Sequence, residues 1–280
     1  MARRHRNRHS SPKTFAIPAV VIIALIAAIF LQQQCHGQQS QKTDIAQQSN
    51  VDSIGNLLYV VNPVGIDPVM LSYTGFTVAF CPEMHQPYYS AWCLSPDKVD
   101  GLADRKDAKF AEDTKVKGCA SLNDYRKSGY DRGHLCPAAD CRWSTQAMHD
   151  CHYLTNITPQ HPKLNGGAWK TIEENCRDWA LKYGDLYIVA GPVLSDRLTR
   201  SIGTSPLPVP DRFFKVIIAP KASLGIGFIM PNEYVPGGAQ TTVVSIDQVE
   251  QVTGFDFFST LPDDIEVTIE KQQSLAAWNH

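Results

Sequence analysis

Gly129-Tyr130-Asp131-Arg132-Gly133-His134-Leu135-Cys136-Pro137-Ala138-Ala139-Asp140 is the stretch on which the reading of this chain turns. Asp131 to His134 set a carboxylate, a guanidinium, a residue without a side chain and an imidazole in succession, a mixture that a core strand would not use. Gly133 lets a neighbouring backbone or ligand come close beside His134, and Pro137 holds Cys136 extended. An imidazole with an ordinary pKa near ~6.5 is the natural general base at neutral pH. A guanidinium close to it suits a phosphate. The chemistry suggested is attack on a phosphodiester. Read on these four residues alone, a turn in which Asp131 pairs with Arg132 and His134 is a satisfied, half-buried residue stands beside it.

The wider company of the stretch carries further information. Asp131-Arg132-Gly133-His134-Leu135, with the small Ala139 following, resembles the active-site signature of the DNA/RNA non-specific endonucleases. The similarity continues through Tyr153-Leu154-Thr155-Asn156-Ile157-Thr158-Pro159-Gln160, Leu164-Asn165-Gly166-Gly167-Ala168-Trp169, Glu173, Tyr187-Ile188-Val189-Ala190-Gly191-Pro192, Val209-Pro210-Asp211-Arg212-Phe213-Phe214-Lys215-Val216 and Val252-Thr253-Gly254-Phe255-Asp256-Phe257-Phe258. It spans residues 73–270, the length of a whole domain.

The resemblance implies an α+β fold of the ββα-metal (His-Me finger) type, with a mainly antiparallel sheet packed between helices. It implies hydrolysis of phosphodiester bonds in DNA and RNA, with Mg²⁺ or another divalent cation such as Mn²⁺. His134 would close the first strand of the motif and take a proton from water, and Asn165, at the start of the facing helix, would hold the metal. Mg²⁺ keeps most of its waters and needs few protein ligands, so the lack of a carboxylate cluster is no obstacle. The catalytic set would be His134, Arg132, Glu173 and Asn156, and Arg105 with Arg132 would meet phosphate. Glu173 is eight residues beyond Asn165, ~12 Å along an ideal helix, so its part would be to orient metal-bound water. For Arg105 and Glu173 the plain reading as surface charges stays open. Cys136 stands where the family often has alanine and invites a local disulfide.

The N-terminus has a different character. Arg3, Arg4, Arg6, Arg8 and Lys13 (basic tail, residues 1–14) precede an uncharged apolar run over residues 15–31, and a Gln- and Ser-rich segment over 32–56 leads to a domain at 57–280. The apolar run is short for a membrane span and long for a signal-peptide core. No small-x-small cleavage site follows it. The expectation is a membrane anchor that holds the catalytic domain outside the cytoplasm, periplasmic or extracellular, with secretion after signal cleavage as the alternative. Export would favour disulfides among the domain's seven cysteines. A zinc module built on Cys136, Cys141, Cys151, His149 and His152 competes with that reading, although no C-x-x-C pair is present. A third reading keeps the fold as a binding protein without catalysis.

Charge constrains how the domain can meet a polyanion. The five basic residues of the tail leave 21 basic against 28 acidic residues in the rest of the chain. This balance counts against tight binding along a duplex by charge alone, and turnover then needs a local cationic cleft and a metal ion. Arg105, Arg126, Lys127, Arg132, Arg142, Lys163 and Lys170 are the candidates around the motif.

Along the remaining chain, strands are expected over 73–80, 88–94, 153–158, 186–193, 213–219, 225–230 and 265–270. Trp92 reads as core, and His149 and His152 read as surface or structural. Helices are expected after Ser144, over the apolar repeat from Ala168 to Tyr183 ending at Gly184, and from near Ser245 to Val252.

Overall fold

Phe213-Phe214-Lys215-Val216-Ile217-Ile218-Ala219 is apolar on both sides of the pleat but for one lysine, and a strand of that kind has to be covered on both faces. The computed structural model describes residues 57–194 and 200–279. In chain order its strands are β1 (Val60–Val61), β2 (Val69–Tyr73), β3 (Phe76–Cys81), β4 (Gln86–Leu94), β5 (Asp131–His134), β6 (Ile157–Gln160), β7 (Leu186–Pro192), β8 (Ser201–Ile202), β9 (Leu207–Pro208), β10 (Arg212–Ala219), β11 (Leu224–Pro231), β12 (Val243–Val244) and β13 (Asp256–Phe257). The α-helices are α1 (Pro96–Val99), α2 (Thr145–Asp150), α3 (Lys170–Tyr183), α4 (Ile246–Thr253), α5 (Asp263–Glu270) and α6 (Leu275–Asn279).

Among the described residues, seven strands make one sheet in the order β12-β11-β10-β7-β4-β3-β2, antiparallel at every pairing. Alternation along β10 assigns its side chains to two cores. Phe213, Ile217 and Ala219 join Trp169, Ile172, Cys176, Trp179 and Ala180, the apolar stripe of α3. Phe214, Val216 and Ile218 turn the other way, to Ile246 and Val249 of α4, Phe257 of β13 and Ile269 of α5. The sheet is thus packed between helices, as the resemblance implied.

Local signals set the helix ends. Ser144 caps α2 through its hydroxyl, which accepts from Ala147 N at 3.3 Å. Ser245 and Gln248 form a reciprocal capping box at α4. Gly184, at φ 87°, ends α3.

Two expected strands are corrected. Residues 265–270 are helical, because Pro262 opens α5 and Asp263, Asp264 and Glu266 occupy a first turn that favours negative charge. The apparent alternation of Ile265, Val267 and Ile269 misled, since only Ile269 is buried. In the stretch 153–158 the strand starts at Ile157, and Leu154–Asn156 form a 3-10 turn before it.

The disulfide expectation is also corrected. Cys81, Cys93, Cys119, Cys136, Cys141, Cys151 and Cys176 are free thiols. The basic tail, the apolar run over 15–31 and the Gln- and Ser-rich segment lie outside the described residues. Among the described residues no helix is long and apolar enough to cross a membrane.

Candidate active site

β5 and β6 pair antiparallel, with Gly133 opposite Thr158 and His134 opposite Ile157. A Cβ on Gly133 would overlap the buried side chain of Gln160, so the glycine is what allows the two strands to close here. Beyond His134 the chain is held by Asn156. Leu135 N donates to Asn156 O at 3.0 Å. The Asn156 side chain accepts from Cys136 N (3.0 Å) and the Ser90 hydroxyl (2.8 Å). It also donates to Cys136 O and Cys151 O, both at 2.9 Å. From the other side, the Trp169 indole donates to His134 O at 3.2 Å.

The ring of His134 receives no such help. It lines the cleft yet is only 8% exposed, and its Nε2 is buried without a hydrogen-bond partner. Phe110 and His152 flank it, with ring centroids 5.2 and 4.8 Å away. Burial, and then the charges of His152, Arg105 and Arg132, hold the imidazole well below the usual histidine range. It is neutral at physiological pH.

Asn165 reaches the cleft from a wide, π-type turn over Leu164–Trp169 that kinks at Gly167 before α3 begins. Its Nδ2 donates to Asp131 Oδ2 at 2.9 Å. That bond fixes which way the amide faces and leaves its oxygen as the atom able to hold a cation. Glu173, half-buried on α3, lines the same cleft. Burial pushes its carboxyl up to about 7 against the pull of Lys215. An amide oxygen and a carboxylate suit a hard cation such as Mg²⁺.

The cleft encloses about 620 Å³, and the cations on its walls are Arg105, Arg132, Arg142, Lys170 and Arg177. Only Asp104 and Glu173 oppose them there. Arg132 is exposed and stacks over Phe110 at 4.3 Å. Arg105, in the Arg105–Asp107 turn, is also exposed. Arg126 and Lys127 line a separate groove that shares Asp131 and Arg132 with the motif, and Lys163 lines another hollow beside Tyr234.

His134, Arg132, Arg105, Asn165 and Glu173 therefore meet in one cleft, and Asn156 does not. Its four side-chain hydrogen bonds are to buried groups, and its place is behind the histidine. Of the zinc-type set, His149 is exposed and stands apart, while Cys136 and Cys141 face each other at 3.8 Å and Cys151 faces His152 at 3.3 Å. Of the two readings left open for His152, surface or structural, the buried one holds, and together with Cys151 it brings ligand atoms within 4.8 Å of His134.

Three further side chains went unread in the sequence. Arg177 forms an ion pair with buried Asp140 at 3.0 Å and also lines the cleft; its position one turn after Glu173 was the available signal. Lys215 is fully buried, with its Nζ 4.2 Å from the Trp169 ring and 5.6 Å from that of Trp92. Asn232 ties β6 to the chain before β10 through Pro159 O and Pro210 O.

With this geometry established, comparison with known proteins is informative. The sequence profile of the family described as DNA/RNA non-specific endonuclease matches residues 53–264. The mitochondrial nuclease EXOG of Danio rerio is 34% identical over 209 residues, 68% of this chain and 60% of that protein. The mitochondrial endonuclease G of Homo sapiens is 33% identical over 204 residues, covering 66% of this chain and 68% of that protein. In the crystal structure of the EndoG/EndoGI complex, a chain 26% identical superposes with a TM-score of 0.67, covering 73% of this chain and 91% of its own. The relatives are named as mitochondrial nucleases, which overturns the expectation of a membrane-anchored domain, periplasmic or extracellular. The membrane partner and signal-anchor readings go with it.

Two expectations follow from the geometry. Asn156→Ala strands several buried polar groups at about 1–3 kcal/mol each, so urea unfolding should show a loss of roughly 3 kcal/mol or more; a loss below about 1 kcal/mol would contradict the clasp. The second concerns protonation. The folded ring of His134 resists a proton that the unfolded chain takes up near ~6.5, so its contribution to stability shrinks as pH falls below that value. In the metal-free protein, an NMR titration of the His134 ring should have its midpoint well below 6.5. A midpoint at or above 6.5 would show a hydrated ring.

Proposed function

Because the chain belongs to the DNA/RNA non-specific endonuclease family, we propose that it is a Mg²⁺-dependent, sugar-non-specific endonuclease that hydrolyses phosphodiester bonds of DNA and RNA. The observation that carries this reading is the meeting, in one cationic cleft, of a histidine held neutral and an asparagine whose amide is oriented by Asp131. The chain spans 60% of the length of the Danio rerio relative, so the activity is argued from this chain's own residues.

His134 is the general base. Its Nε2 is sealed from solvent, so Nδ1 is the nitrogen we assign to take the proton of the attacking water. Asn165 would hold the cation through its amide oxygen, and Glu173, once its carboxyl is ionised, would orient water in the same cleft. When bound, Mg²⁺ supplies positive charge to the phosphate and to the departing 3′ oxygen. Arg132 and Arg105 contact phosphate oxygens and place the scissile group, a role suited to the guanidinium fork. Asn156 acts indirectly, by fixing the backbone after His134. The basic residues of the cleft meet phosphates and offer no set of base-reading side chains, which supports little base preference.

Incubating the protein with circular plasmid and with RNA, each with and without EDTA, tests the reading. Both substrates should be cleaved, and both reactions should stop with the chelator. His134→Ala should lower kcat by ~10²-fold or more. Asn165→Ala should raise the Mg²⁺ concentration needed for half-maximal rate or abolish cleavage. Chelator-resistant cleavage, or near wild-type rates in His134→Ala, would overturn the assignment.

A further inference from the structure

The face of the sheet that packs α4 and α5, remote from the cleft, carries a second group of converging carboxylates. Asp247 and Glu250 stand three residues apart on α4 and so share a helix face. Glu270 is the last residue of α5. One oxygen from each of the three lies within 4.8 Å of the others. Glu270 is 7% exposed, and its Oε1 is buried without a hydrogen-bond partner. Glu250 Oε1 accepts from Phe257 N at 2.8 Å, which anchors that side chain and leaves its other oxygen to the cluster.

The surroundings add negative charge and no counter-charge. Asp256 of β13 and Glu266 of α5 both act on Glu250 and Glu270. None of the ion pairs among the described residues involves Asp247, Glu250 or Glu270. Close packing forces the two helices to share this space. Gly225 of β11 has no Cβ because one would overlap Ile269, so α5 sits directly on the strand. A buried, unpaired carboxylate facing two others is costly unless a proton or a cation joins them.

We propose that Asp247, Glu250 and Glu270 form a second cation site, which takes a hard divalent ion of the Ca²⁺ type and ties α5 to α4. The donors are all oxygens, without histidine or cysteine, which excludes a zinc-type site. Ca²⁺ accepts several carboxylates in a flexible arrangement, whereas Mg²⁺ demands a tighter octahedron and keeps its waters. The site has a structural purpose. Ile265 and Val267 of α5 are exposed, and Ile269 alone among its apolar residues is buried, so the helix has little else to hold it.

The inference does not depend on the catalytic reading, and the test separates the two by using the full chain with Asn165→Ala. Equilibrium dialysis with radioactive CaCl₂ should find one bound Ca²⁺ per chain. Thermal unfolding in about 1 mM CaCl₂ should be several degrees higher than without it, and higher than in equal MgCl₂. Adding Glu270→Gln should remove both effects while leaving the calcium-free protein at least as stable, because it relieves repulsion. Asp247→Asn should also remove both, and it carries the test if the first variant fails to fold. No bound Ca²⁺, or binding that survives both substitutions, would overturn the proposal; Glu250 and Glu270 would then share a proton instead.

Discussion

The backbone around His134 is gripped on both sides while its ring is left without a partner, and most of the site depends on that contrast. Trp169 holds the carbonyl of the histidine, and Asn156 holds the residues after it. Neither touches the imidazole. The ring is buried among Phe110 and His152 with Nε2 unsatisfied. Because Nε2 is sealed from solvent, the nitrogen proposed to accept the proton is Nδ1, the ring's other nitrogen. The cost of an unsatisfied buried nitrogen is offset by hydrogen bonds elsewhere in the same few residues.

The same economy appears in the charge distribution. Outside the basic tail the chain is acidic, and five of its cationic side chains line the cleft where α3, the β5–β6 pair and the Arg105–Asp107 turn meet. On the other face of the sheet, α4 and α5 gather carboxylates instead. Lys215 is the exception within the core, stacked on Trp169 beneath the cleft, where its charge opposes the effect of burial on Glu173.

Much of this was legible in the sequence because it rests on local patterns. The apolar repeat from Ala168 to Tyr183 named the helix, Ser144 and Ser245 named two helix starts, and Gly133 marked a close approach beside His134 that the structure fills with β6. What escaped depends on long-range packing. Ile265, Val267 and Ile269 alternate like a strand, but their burial is decided by where Pro262 turns the chain onto β11. Asn156 could be placed near the site but not behind it, since Ser90 and Cys136 meet it only in the folded sheet. His152 was indistinguishable from a surface residue until Phe110 and His134 closed around it. Lys215 gave no signal of its own, because a lone lysine in an apolar strand is ordinarily an edge residue.

The central claim is that a neutral His134 activates water rather than a group on the nucleic acid. If so, the substrate's sugar is irrelevant to the attack, and RNA is cut by the same hydrolysis as DNA. The measurement that tests this most directly is end-group analysis of RNA and DNA fragments formed in ¹⁸O-labelled water. Water activation predicts 5′-phosphate and 3′-hydroxyl ends on both, with the label in the 5′-phosphate. A 2′,3′-cyclic phosphate on the RNA products would show attack by the 2′-hydroxyl and contradict the account.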